Sequence, residues 1–242
     1  MSNNVLFNDL FLRQDTWRGI QDSSNHKVIA TGYKNLDKLL LGGWPLSALT
    51  ELVTQQDGIG ELSILLTTMK HYADKDTLCV LLNPPHQPYA PALVNAGISL
   101  DNLLIVRCNS YKEWQWAAEQ SIRNQALLFA WSTPIQPRYS ELRKLQLAAT
   151  DSQCPAFLFR PPAALRAPSP ARLRIALEHK RFNILSVNLH KLSGRTPGTS
   201  TDIILGNPSK ERIQLNKLPV NIYYPQLDQL NYQLSLKKER HN

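Results

Sequence analysis

Residues 50–62 read Thr50-Glu51-Leu52-Val53-Thr54-Gln55-Gln56-Asp57-Gly58-Ile59-Gly60-Glu61-Leu62. A short apolar run leads into a polar, glycine-bearing turn. Apolar residues at helical spacing then follow from Leu62 to Tyr72. This is the strand–loop–helix outline of a phosphate-binding unit, whose loop reads G-x-x-x-x-G-K-[ST]. In such a loop the backbone N–H groups cradle the phosphates. The lysine meets the terminal oxygens and the hydroxyl holds Mg²⁺. Here Glu61 stands at the lysine position and Leu62 at the hydroxyl position, and no Gly-Lys pair occurs in the chain. One unit pair 4 Å apart at an effective dielectric of ~20 amounts to roughly 4 kcal/mol. Exchanging Lys for Glu turns that attraction into repulsion. Leu62 offers no oxygen to a hard cation.

Working outward, strands alternate with helices. Strands are expected over Ala48–Val53, Thr77–Leu82, Leu103–Arg107, Ala126–Trp131 and Ala156–Phe159. Their continuous apolar runs suit strands buried on both faces of a parallel sheet. Helices are expected over Leu62–Tyr72 and over Pro91–Ala96, the latter closed by Gly97. A third follows the Ser110/Glu113 capping box, with Trp114, Ala117, Ala118 and Ile122 on one face. A fourth is capped by Ser140 and carries Leu142, Leu145 and Ala149. Ser169-Pro170 predicts a fifth, running to about Lys180. Asn183–His190 and Thr201–Leu205 read as edge strands. The pattern predicts an α/β fold with a mostly parallel sheet flanked by helices. Two further positions bear on nucleotide chemistry. A metal-organising acid belongs at the end of Ala126–Trp131, where the chain reads Ser132-Thr133. A catalytic base belongs at the end of Thr77–Leu82, where it reads Asn83-Pro84-Pro85-His86. With all three requirements unmet, the chain is expected not to be an enzyme and to bind no cofactor.

The 242 residues carry a net charge of +8 and are 43% hydrophobic, enough for a real core. The charge is unevenly spread: residues 1–155 balance at −1 and residues 156–242 at +9. The stretch 160–195 accounts for +7 of this, through Arg160, Arg166, Arg172, Arg174, Lys180, Arg181, Lys191 and Arg195 against Glu178. Such a block draws polyanions. Arg160, Arg166, Arg172, Arg174, Lys180 and Arg181 are therefore candidate contacts for DNA or a protein partner. Lys180 and Arg181 also suit the end of the expected helix. Leu6, Phe7, Leu10, Phe11 and Trp17 form an apolar stripe before the core, which must dock on its own domain or on a partner. Trp116, two residues from the core-facing Trp114, is a candidate interface anchor, as is Trp17. The histidines have no metal-ligand spacing, and Cys79, Cys108 and Cys154 form no C-x-x-C, so no metal is expected. With no apolar run of membrane-spanning length and no basic leader, a cytoplasmic protein without membrane contact is expected.

Thr31-Gly32, Leu36-Asp37, Gly42-Gly43, Pro45 and Glu51 resemble the entry to the RecA ATPase core, over about residues 29–205. More closely, Gly58-Ile59-Gly60-Glu61-Leu62, Pro84-Pro85-His86 with Pro88-Tyr89-Ala90-Pro91-Ala92-Leu93, Trp116-Ala117-Ala118-Glu119-Gln120, Leu142–Ala149 and Phe157-Leu158-Phe159-Arg160-Pro161 resemble the ImuA family. The cell-division inhibitor SulA is a shorter relative of that family. The resemblance implies a helical N-terminal arm (1–28), a RecA-like core (29–207) with a degenerate phosphate loop, and a C-terminal extension with a basic tail (208–242). It implies an SOS-induced, non-catalytic accessory factor of error-prone translesion DNA synthesis. The partners it implies are an ImuB-like protein, RecA and an error-prone polymerase, with DNA as a candidate. The alternative is SulA-like inhibition of division through FtsZ. In the RecA pattern, DNA-facing loops would fall at 132–140 and 160–172. The second is proline-rich here and correspondingly stiff.

Overall fold

The computed structural model describes residues 27–132, 136–181 and 183–205. A two-stranded antiparallel ribbon of β1 (Val28–Ile29) and β2 (Trp44–Pro45) brackets helix α1 (Lys34–Leu39). The main sheet has eight strands: β3 (Leu49–Thr54), β4 (Cys79–Leu82), β5 (Leu103–Val106), β6 (Leu127–Trp131), β7 (Ala156–Arg160), β8 (Leu173–Arg181), β9 (Ile184–Lys191) and β10 (Ser200–Ile204). Their spatial order is β10-β9-β8-β3-β7-β6-β4-β5. From β8 to β5 every pairing is parallel, whereas β9 and β10 pair antiparallel. The expected α/β class holds, with strand ends within a residue or two of the expected positions.

Helices cover both faces. A 3-10 turn (Ser63–Leu65), α2 (Leu66–Ala73) and α3 (Ala90–Asn95) join α1 on one face. They pack on Leu52, Leu81, Phe129, Trp131, Phe157 and Phe159. On this face Phe129 stacks on Phe157 at 5.3 Å and Trp131 on Phe159 at 4.2 Å. α4 (Tyr111–Arg123) and α5 (Tyr139–Thr150) lie on the other face, over Val80, Leu128, Ala130 and Leu158. The expected capping box forms: Ser110 Oγ accepts the Glu113 N–H, and Glu113 accepts the Ser110 N–H. α5 starts before Ser140, because the Glu141 carboxylate reaches back to the Arg138 N–H at 2.6 Å.

One element differs in kind. The helix expected from Ser169-Pro170 to Lys180 is strand β8. Ser169 does act locally, accepting the Ala171 N–H at 3.0 Å. Beyond it, Leu173, Ile175 and Leu177 are buried on one face in strict alternation. That period-2 pattern seats the segment beside β3 and overrides the capping signal. The crossover from β7 to β8 is left with residues 161–172, including one 3-10 turn (Pro162–Arg166), and it lies across β3. The arm at 1–26 with Trp17, and the extension at 208–242, lie outside the described residues.

Candidate functional site

The loop after β3 is where nucleotide chemistry would reside. Residues 55–58 are exposed, Ile59 is buried, and Glu61 is only 6% exposed. Glu61 turns back into its own loop, where Oε1 accepts the Gly58 N–H at 2.9 Å. A backbone donor that a phosphate would use is thus already bonded to a carboxylate of the same chain. Gly60 adopts φ +97°, and a Cβ there would sit 2.4 Å from Leu205 Cδ1. The side of the loop at Gly60 is therefore filled by the end of β10. Leu62 packs against the core. The loop's Gly58 N–H is thus taken up by Glu61 and its Gly60 flank by Leu205.

The other two positions also serve the fold. Ser132 N–H and Oγ both donate to the Phe159 carbonyl, at 3.2 and 3.1 Å. Asn83 holds a left-handed backbone (φ 51°), a conformation asparagine tolerates. Its side chain clamps Cys108: Oδ1 accepts the Cys108 N–H at 2.7 Å and Nδ2 donates to the Cys108 carbonyl at 3.4 Å.

The basic stretch is dispersed by the fold. Arg160 and Arg174, read as contacts for DNA or a partner, are buried at 3% and 7% exposure. Both face Glu51, which is fully buried: Arg160 Nη1 lies 2.8 Å from Oε1 and Arg174 Nε 2.6 Å from Oε2. Arg174 Nη1 also donates to the Ala167 carbonyl, tying the crossover down over the triad. These two arginines are not available to a polyanion. A carboxylate buried mid-sheet needs cations, and these two arginines supply them. Arg166 and Arg181 are exposed, and Arg172 is half-buried. Lys180 pairs with Asp202 at 3.0 Å, and both are half-exposed. Lys180 and Arg181 lie on a strand rather than at a helix end. Arg172 and Arg181 flank β8 at opposite ends, about 30 Å apart at ~3.3 Å per residue. A run in sequence is not one patch in space.

Trp114 is buried and stacks on Tyr111, while Trp116 is 66% exposed, as expected. Glu51 enters the sequence reading only through the RecA-like resemblance, and its part as counter-ion to Arg160 and Arg174 is not read there. A lone acid inside an apolar strand signals a buried partner, and Arg160 and Arg174 sit on equally apolar strands. At the opposite, N-terminal ends of the strands, a cavity of about 800 Å³ is lined by Ile29, His71, Tyr72, Lys75, Gln125 and Cys154. Burial pushes the Cys154 thiol up to about 11, so it stays protonated at neutral pH and is no nucleophile. Among the described residues, no cluster of ligating side chains could hold a metal, and no helix is long and apolar enough to cross a membrane. No family model and no curated protein matches this chain.

Proposed function

We propose that this chain is a non-catalytic, RecA-like accessory protein of SOS-induced translesion synthesis, as its resemblance to the ImuA family implies. The observation that carries the reading is the loop after β3. It keeps the position of a phosphate loop and the glycine before the lysine position, Gly60, with Gln55 where the first glycine belongs; its Gly58 N–H is bonded to Glu61 and its Gly60 flank is filled by Leu205. A degenerate loop of this kind accounts for a retained α/β scaffold with no place for a triphosphate. The chain then acts by assembly, holding an ImuB-like protein and RecA and bringing an error-prone polymerase to damaged DNA. Exposed Trp116 is one docking residue. Arg166 and Arg181 are what remains for weak DNA contact.

Two measurements test the reading. Calorimetric titration of the full chain with Mg-ATP gives no heat of binding; a saturable isotherm would reject the closed loop. Purified chain retains the ImuB-like protein or RecA from the same cell; retention of neither rejects the accessory role.

A further inference from the structure

The segment after β4 reads Asn83-Pro84-Pro85-His86-Gln87-Pro88-Tyr89 and holds three prolines. Each proline fixes its own φ near −65°. The base of the segment is fastened. The Asn83 side chain clamps the Cys108 backbone at two points, and Arg107 Nη1 donates to the Pro84 carbonyl. The far end is fastened as well, since the Tyr89 carbonyl accepts the first N–H groups of α3. Between these anchors Pro85 and His86 are exposed, and the Tyr89 side chain stands out at 71% exposure. Its hydroxyl makes no hydrogen bond to the described residues. The fold thus presents a large ring on a backbone that has little freedom left to lose.

We infer that this proline-held loop, tipped by Tyr89, is a preformed docking epitope for a partner protein with an apolar, aromatic-lined cleft. Proline rings and a projecting tyrosine are what such clefts accept, since the proline backbone offers few donors and is already ordered. Tyrosine is also among the residues that dominate binding energy when they enter a pocket. Preorganisation lowers the ordering cost that otherwise reduces affinity. Charge selects the class of partner. Residues 83–90 carry no formal charge, and the first 155 residues balance at −1. A nucleic acid, held chiefly through phosphate neutralisation, finds no cation within the loop, and the guanidinium of Arg107 at its base is engaged by the Pro84 carbonyl.

The inference deepens the accessory reading and rests on it, the ImuB-like protein being the partner the loop would hold. The test uses the full chain and that purified partner, with affinity measured by calorimetry after nuclease treatment. Tyr89→Ala is expected to weaken binding at least tenfold, and Tyr89→Phe, which loses only the hydroxyl, about threefold. Pro85→Gly with Pro88→Gly weakens it several-fold with the ring intact, because the loop then has to be ordered on binding. Tyr139→Ala, an exposed tyrosine on α5, stays within twofold. Thermal melts of the two Tyr89 variants match the unaltered chain, since that side chain lies outside the core; the double glycine variant melts lower because its unfolded chain gains freedom, and its affinity is measured well below its melt. If the unaltered chain binds and Tyr89→Ala binds within twofold of it, the loop inference fails and the accessory reading stands. If the unaltered chain does not bind this partner, the loop inference fails, and the accessory reading fails with it only if RecA is not retained either. Binding that disappears with nuclease overturns the protein epitope in favour of a nucleic-acid bridge.

Discussion

At the residue scale, Glu51 governs the centre of the sheet. Its carboxylate is fully buried between two guanidinium groups, with Lys191 also near enough for Arg174 to help hold the lysine's pKa below its usual value, after burial. Taking such ions from water costs several kcal/mol each, and only mutual pairing offsets that cost. Glu51→Gln leaves two buried cations facing a neutral amide. It is expected to destabilise the fold by about 3–5 kcal/mol in denaturant unfolding. Replacing all three together by Leu at 51 and Met at 160 and 174 is expected to be neutral or stabilising. A Glu51→Gln protein as stable as the unaltered one would mean that the carboxylate is not the counter-ion. The same residues show where sequence reading stops. Arginines on a stretch of net charge +7 resemble a polyanion surface until their partner is known, and that partner lies over a hundred positions earlier.

At the element scale, the legible elements were those whose signal is local. The Ser110–Glu113 box and the apolar runs of β4 and β6 need only neighbouring residues to be read, and they stand close to where the sequence places them. In segment 169–181 two local signals compete. A serine–proline cap pointed to helix, while alternation at Leu173, Ile175 and Leu177 pointed to strand. Long-range pairing with β3 settled the matter. The loop after β3 was legible in its missing lysine but not in its closure, which depends on Leu205 arriving from the far edge of the sheet. α4 supplies a local test. Ser110→Ala removes the acceptor of the Glu113 N–H and is expected to cost about 1 kcal/mol. Equilibrium urea unfolding measures it, and a change below a few tenths of a kcal/mol would show that the cap is dispensable.

For the molecule as a whole, the buried acids of its core predict alkaline lability. Burial raises the pKa of Cys79 and of Tyr72, and it raises Tyr111, where Glu141 adds to the effect; Cys154 moves to about 11. Each group keeps its proton longer folded than unfolded. The stability this supplies is therefore complete below the ordinary thiol value of 9.0 and is lost as pH rises through the folded values. The melting temperature is expected to be level from pH 7 to 8.5 and to fall steadily towards pH 11. Cys79→Ala with Cys154→Ala flattens the first part of that fall, about 1.4 kcal/mol per pH unit for each thiol titrating only in the unfolded chain. A melting temperature constant to pH 11 would contradict the burial of these groups.

The triad also sets a clock on the birth of the protein. Glu51 leaves the ribosome 109 residues before Arg160 and 123 before Arg174. At roughly 5–20 residues per second, the second arginine follows about 6–25 s later. Until then β3, the fourth of the eight strands across the sheet, holds a charge that has no partner to be buried with. The nascent chain must keep its central strand in water or in the care of a chaperone. Chains stalled before Arg174 are accordingly expected to be cut rapidly by protease within 49–54, and chains extended past β10 to resist.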